Sequence, residues 1–432
     1  MDSTATRKPH LKTEAIAGIT TFFTMAYIVV VNPQILSADG KTGMAFTGVL
    51  TATVIICFTM TLLMGLYAKL PFAVAPGMGI NAFFTYTIIL GKGVPWPTAL
   101  GIVFWAGVFF LLISVTPIRE SIAKAIPAEL RIAAAAGIGI FLTFIGLKNA
   151  GFIVADPVTL VKLGALGKPA LLTILGLAIS VFFMAKKNAF AFLAAIVVVT
   201  LVAWALGLVS APPRALSLPD FKSVFLKLDI FGALKLALIP SIIAILFTDL
   251  FDSISTFIGV AHAADLLDEH GHPRNLRQGL IVDSLATMGA GVAGTSSGTA
   301  YIESIAGISM GGRTGLTSVF TALCFLPCFF IAPLAGMVPP FATAAVLILV
   351  GAAMFRSVGQ IKFSKLEEGV PAFLTLILIP LTFSITQGIL WGFISHVGLY
   401  LMVGRRRDIH PVMYALALVS IGLLVLERMK LG

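Results

Sequence analysis

Apolar residues run in blocks of about twenty along nearly the whole chain, separated by short stretches that hold most of the charge, Gly and Pro. A helix rises about 1.5 Å per residue, so blocks of that length predict helices that cross a hydrocarbon layer of about 30 Å. Fourteen such blocks lie between 14–31 and 388–403, and a further run, Pro411 to Leu426, reads as an extra crossing or, in preference, a helix lying at the membrane interface. Two blocks do not read as plain helices. The third, 76–90, is entered through Pro71, Pro76, Gly77 and Gly79, and the tenth, 299–310, follows Gly289, Gly291, Gly294 and Gly298. Broken backbone at membrane depth is tolerated only where protein or a water-filled cavity satisfies its polar groups, so a cavity is expected beside both.

The two halves echo one another. Phe22-Phe23-Thr24-Met25 matches Leu246-Phe247-Thr248-Asp249, and Leu172-Thr173-Ile174-Leu175 returns as Leu374-Thr375-Leu376-Ile377. With interrupted blocks at corresponding places, the pattern predicts two seven-span repeats, the second inverted because seven is odd. The organisation expected is a cytosolic tail at 1–12, repeats at 13–210 and 230–404, and a basic loop with a C-terminal helix at 405–432.

Composition narrows the class. With 58% hydrophobic and 11% charged residues and a mean hydropathy of +1.04, the 432-residue chain is neither a soluble domain, a disordered polymer nor a soluble enzyme on one anchor. A net charge of +10 reports topology rather than nucleic-acid binding. An N-terminus in the cytosol puts roughly twice as many Lys and Arg inside as outside, which suits an even number of spans through the cell membrane. Residues 1–13 show no removable signal peptide. Cys57, Cys324 and Cys328 form neither a disulfide framework nor a zinc site.

Four acids, Asp249, Asp252, Asp283 and Glu303, fall inside apolar segments with no Lys or Arg beside them. Each costs about 2.5–3.5 kcal/mol at mid-membrane, so a bound proton, a metal or sodium ion, or a hydrogen-bonding ligand must offset them. Asp249 and Asp252 share a helix face at i, i+3. Glu303 follows the break Gly294-Thr-Ser-Ser-Gly298, as Asn81 follows Pro76-Gly-Met-Gly79. Two opposed half-helices would add backbone N–H donors, with Gly77, Gly79 and Gly298 allowing close approach. Clustered carboxylates, an amide and backbone donors suit a flat, neutral solute such as a nucleobase, flanked by Phe83, Phe84, Phe251 or Tyr301, and suit an anion poorly.

Plainer roles compete at each position. Asn81 could cap a helix, Asp252 and Asp283 could position neighbouring helices, and single aromatic residues could simply pack. His262, His270 and His272 with Asp265, Asp268 and Glu269 read as a solvated loop rather than a metal site. His396 reads as a satisfied core histidine rather than a proton relay.

Phe247-Thr-Asp-Leu-Phe-Asp-Ser253, Gly294-Thr-Ser-Ser-Gly-Thr-Ala-Tyr-Ile-Glu-Ser304 and Ala75-Pro-Gly-Met-Gly-Ile-Asn81 resemble the AzgA-like purine permeases, over about Lys12 to Gly404. That group belongs to the nucleobase-cation symporters, with the uracil, xanthine and ascorbate transporters. The resemblance implies an all-α polytopic membrane protein of fourteen spans as 7+7 inverted repeats, with core and gate domains and with short strands plus half-helices in spans 3 and 10. It implies import of adenine, guanine or hypoxanthine with protons rather than sodium, with no enzymatic activity and no cofactor. Asp249 and Glu303 would hold the base, Asn81 would help, Asp252 would support it and Asp283 would organise the core. Gly79, Phe83, Phe251, Gly298, Thr299 and Tyr301 complete the expected contacts. The uracil-transporting relatives carry a histidine where Ser253 stands, so coupling is expected through Asp249 or Glu303. Such two-domain transporters often form homodimers through the gate. The rivals are an anion carrier of the same fold, of the sulfate type, and a Mg-dependent prenyltransferase built on Asp249-Leu-Phe-Asp252. Lone acids oppose the first, and the lack of a second Asp-rich motif opposes the other.

Overall fold

The computed structural model describes residues 10–116, 125–264, 266 and 274–428. The apolar blocks appear as helices α1 (Leu11–Met25), α2 (Ile28–Ser37), α3 (Phe46–Leu63), α4 (Met78–Ala82), α5 (Trp96–Val115), α6 (Ala128–Asn149), α7 (Lys168–Ala185) and α8 (Ala191–Ala205). The second half continues with α9 (Ile239–Ala264), α10 (Leu276–Ala293), α11 (Ser304–Ser309), α12 (Gly315–Phe325), α13 (Ala332–Gly336), α14 (Pro340–Phe355), α15 (Leu366–Thr382), α16 (Ile385–Met402) and α17 (Pro411–Arg428). Among the described residues, eight helices are long and apolar enough to cross a membrane. Leu171, Phe182, Leu201 and Trp204 are exposed, as lipid-facing side chains would be. The protein is a mostly helical, multi-pass membrane protein.

Helix ends follow local chemistry. Pro97 and Pro340 open α5 and α14, where a missing N–H costs nothing. Ser384 caps α16 by accepting from the Gln387 N–H at 3.3 Å. Gly294 closes α10 at φ +98°, a left-handed turn that a Cβ would strain.

Packing sorts the helices into two groups. The first joins α1–α5 with α9–α12, and the second joins α6–α8 with α14–α16. Within the first, β1 (Val74–Pro76) pairs antiparallel with a strand from the other half, Gly298–Ala300, in the register Ala75 to Thr299. Two short strands at membrane depth expose many backbone groups, and side chains satisfy them. The Val74 N–H donates to Thr61 Oγ1 at 2.9 Å, the Ala73 N–H to Ser304 Oγ at 3.0 Å, and Ser318 Oγ donates to the carbonyls of Leu70 and Phe72. A hairpin, β2 (Ile153–Asp156) with β3 (Leu160–Leu163), projects from the end of α6, and Gly298–Ala300 is β4.

The last helix lies lengthwise against α16. Leu416, Val419 and Leu423 of α17 face Ile389 and Phe393 across an apolar cavity. Both helices present apolar stripes, and these pack against each other. His270 and His272, with Asp265, Asp268 and Glu269, lie outside the described residues, as does the side chain of His262. His396 is buried with its ring 4.3 Å from that of Tyr400.

Candidate functional site

The turn Gly294-Thr-Ser-Ser-Gly298 organises the centre of the first group, and each of its three hydroxyls docks on a different helix. Thr295 Oγ1 accepts from Asn32 Nδ2 of α2 at 2.8 Å, Ser296 Oγ donates to Asn81 Oδ1 of α4, and Ser297 Oγ donates to Asp249 Oδ2 of α9 at 2.7 Å. Thr287 of α10 donates to the same Asp249 oxygen and lies 3.0 Å from the Gly298 carbonyl. Hydroxyl donors thus stand around Asp249 in addition to the backbone N–H groups expected from the half-helices. The opening of α11 is short, and its first N–H groups fold back onto the carbonyls of Tyr301, Ile302 and Glu303.

Around this turn several polar atoms are buried and lack a partner among the described residues. They are Asp249 Oδ1, Asp283 Oδ1 and Asn81 Nδ2. Asp283 keeps a long contact, 3.4 Å, from Thr299 Oγ1, which lies 3.3 Å from Ser253 Oγ. Glu303 Oε1 accepts from the Tyr27 hydroxyl at 2.8 Å, where the first span breaks between α1 and α2. Native interiors leave few buried polar atoms unpaired, so the gathering of these three around one turn stands out.

A narrow cleft runs between the two helix groups. One wall is the stripe Thr248, Phe251, Asp252 and Ser255 of α9, and Gly77, Gly79 and Ile80 form the end near the strands. The facing wall is Arg131, Ala134, Ala135 and Ile138 of α6, with Met354 of α14. Both stripes follow i, i+3, i+4, i+7 spacing, the signature of one helix face turned toward another. Gly79 is required here: a Cβ on it would lie 2.2 Å from Ile138 Cγ2.

Of the residues expected at the site, Gly79, Phe251 and Asp252 line this cleft. Asp249, Asn81, Asp283, Gly298 and Thr299 gather behind it around the strand pair, and Glu303 is held beside Tyr27. Asp252 lies within electrostatic range of Glu303. Phe83 and Phe84 are buried in the core, and the Tyr301 hydroxyl donates to the Pro76 carbonyl at 2.5 Å, stitching the strands. Gly298 is explained by packing, since a Cβ there would sit 2.9 Å from Ala286 Cβ.

The sequence missed Tyr27, Thr287, Ser297 and Arg131. Tyr27 had one signal, a lone phenol in the middle of an apolar block, whereas the Thr and Ser hydroxyls had none. Arg131 stands in the first turn of α6 and lines the same cleft as Asp252, without an ion pair to any of the four acids among the described residues.

The fold and this polar centre define a membrane permease. Residues 12–390 match the Permease family (Xan_ur_permease), and the chain belongs to it. It is 44% identical to the adenine permease AdeP of Escherichia coli (strain K12) over 95% of this chain and 92% of that one. It is 40% identical to the guanine/hypoxanthine permease PbuO of Bacillus subtilis (strain 168), over 94% and 96%. Among solved structures, the transmembrane domain of a cyanobacterium bicarbonate transporter, BicA, superposes with a TM-score of 0.65 at 19% identity, covering 89% of this chain and 97% of that domain.

Proposed function

We propose that the protein imports purine nucleobases together with protons by alternating access. The observation that carries this reading is the set of buried, unpartnered atoms on Asp249, Asp283 and Asn81 beside a narrow cleft. A carboxylate oxygen in that setting is stabilised by a proton, and a neutral base in the cleft in front of it offers N–H donors to Asp252. Kinship with permeases named for adenine and for guanine/hypoxanthine supports a purine as the cargo.

In this reading the fourteen blocks form two inverted seven-span repeats, 13–210 and 230–404. The strand-bearing helices act as the core and α6–α8 with α14–α16 as the gate, through which a homodimer would form. With the N-terminus in the cytosol, the cleft beside Arg131 and Ser255 opens inward. Glu303 and Asp252 repel one another when both are ionised, and a proton on Glu303 or Asp249 relieves charge crowding as the base binds. Asp249 holds Ser297 and Thr287 in place, Asp283 steadies Thr299, and Asp252 with Phe251 meets the base.

Anion carriage is the second reading, because Arg131 faces the cleft and BicA has the same fold. The four acids near that single cation weigh against it. Uptake into proteoliposomes separates the two: labelled hypoxanthine should accumulate under an imposed proton gradient, without response to sodium, and be displaced by adenine and guanine but not by sulfate or bicarbonate. Failure of any purine to accumulate or compete would sink the proposal.

A further inference from the structure

Arg131 is the one cationic side chain among the cleft-lining residues, and it belongs to the gate-side wall. Its Nε is buried and meets no acceptor among the described residues. Across the cleft stand Asp252, an acceptor, and Thr248, whose Oγ1 is also buried without a partner. Between Arg131 and Ile138 the same helix face carries only Ala134 and Ala135, so the wall is shallow where a flat ring could lie. Glu129 of the same opening turn is within electrostatic range of Arg131, but Nε remains unmet, and a buried donor without a partner carries a desolvation cost. A ligand acceptor would remove it.

We infer that Arg131 contacts the substrate from the gate side, donating to a ring-nitrogen acceptor of the base while Asp252 accepts from the base's N–H edge. This rests on the purine reading above and goes beyond it by naming the second wall's ligand. The base then bridges α9 and α6, so occupancy itself ties the two helix groups together. A guanidinium is suited to this because its planar fork reaches ring nitrogens and carbonyls lying in one plane, which a lysine ammonium matches only as a point charge.

The test pairs a protein change with a ligand change. Purified protein in nanodiscs is titrated with hypoxanthine and with its 3-deaza and 7-deaza analogues, each of which replaces one ring nitrogen by C–H. Wild type should bind one analogue on the order of ten- to a hundredfold more weakly than hypoxanthine, the effect of losing a hydrogen bond to a charged donor. Arg131→Gln should bind hypoxanthine about as weakly as wild type binds that analogue, and should no longer discriminate between the two ligands. A purely structural role would weaken all ligands alike and leave the discrimination intact, which would overturn the inference. So would a wild type that binds every deaza analogue as well as hypoxanthine. Arg131→Lys, expected to retain part of the discrimination, replaces the glutamine variant if the latter does not elute as a single species. If wild type binds no purine at all, the purine reading itself fails, an outcome visible before any variant is made.

Discussion

Glu303 is held by one phenol. The Tyr27 hydroxyl donates to Glu303 Oε1 at 2.8 Å, and a glutamine would keep that acceptor while losing the capacity to carry a proton. Glu303→Gln is therefore expected to insert normally, to exchange labelled base across proteoliposomes without a gradient, and to lose accumulation driven by pH; unchanged accumulation would take Glu303 out of coupling. Gly79 makes a steric prediction instead. A methyl there would overlap Ile138 Cγ2, and overpacking of this kind costs about 1–3 kcal/mol, relieved by moving α4 away from α6. Gly79→Ala should depress uptake, and adding Ile138→Ala should restore much of it, as read by initial rates of hypoxanthine entry. Without that rescue, the close approach of these two helices would not matter to transport.

Between elements, the contacts joining the two helix groups are unevenly placed. At the end away from the cleft mouth, Gln34 of α2 donates to the Val338 carbonyl at 2.6 Å and accepts from Thr343 Oγ1 of α14 at 2.7 Å, and Thr87 donates to the Phe383 carbonyl. Two neutral hydrogen bonds on one side chain contribute about 1–3 kcal/mol together, enough to bias an equilibrium between closed and open forms of that end. Gln34→Ala is expected to raise the reactivity of a Ser37→Cys probe toward an impermeant thiol reagent several-fold, by the size of that bias; equal rates would show that the end is held shut by other contacts. The β2–β3 hairpin behaves independently. Asp156 accepts from the Thr159 N–H, from Lys162 Nζ at 2.9 Å and from the Val158 N–H, and these hold its carboxyl down at about 2. Its folded value lies below the unfolded one, so its contribution is complete above about pH 4 and fades as pH falls through about 2. Amide exchange in residues 153–163 should therefore be unaffected by this group between pH 5 and 8, and Asp156→Asn should loosen the hairpin without altering the pH profile of uptake. A shifted profile would implicate the hairpin in coupling.

For the molecule as a whole, the cleft lies between two bodies of helices, so a base that contacts both walls should draw them together. A Ser255→Cys variant, probed from the side on which the cleft opens, is expected to react more slowly once hypoxanthine is added and to be indifferent to sulfate; the absence of protection would place the base elsewhere. Much of this architecture was legible in the chain, because a bilayer demands long apolar helices and permits broken ones only at an internal site. The interruptions at Pro76 to Gly79 and Gly294 to Gly298, and the acids Asp249, Asp252, Asp283 and Glu303, stood out for the same reason: each is costly in lipid unless something compensates it. What the sequence could not convey is which partner compensates which group. Thr, Ser and Tyr are ordinary in apolar spans, so nothing local distinguishes Thr287, Ser297 or Tyr27, whose partners lie between 10 and 276 residues away along the chain. Arg131 did not stand out either, because its position along the chain says nothing about the direction its helix face takes. Only the packing of α6 against α4 and α9 turns it toward Asp252, since contacts between distant segments are set by the fit of whole helix surfaces and not by the residues beside them.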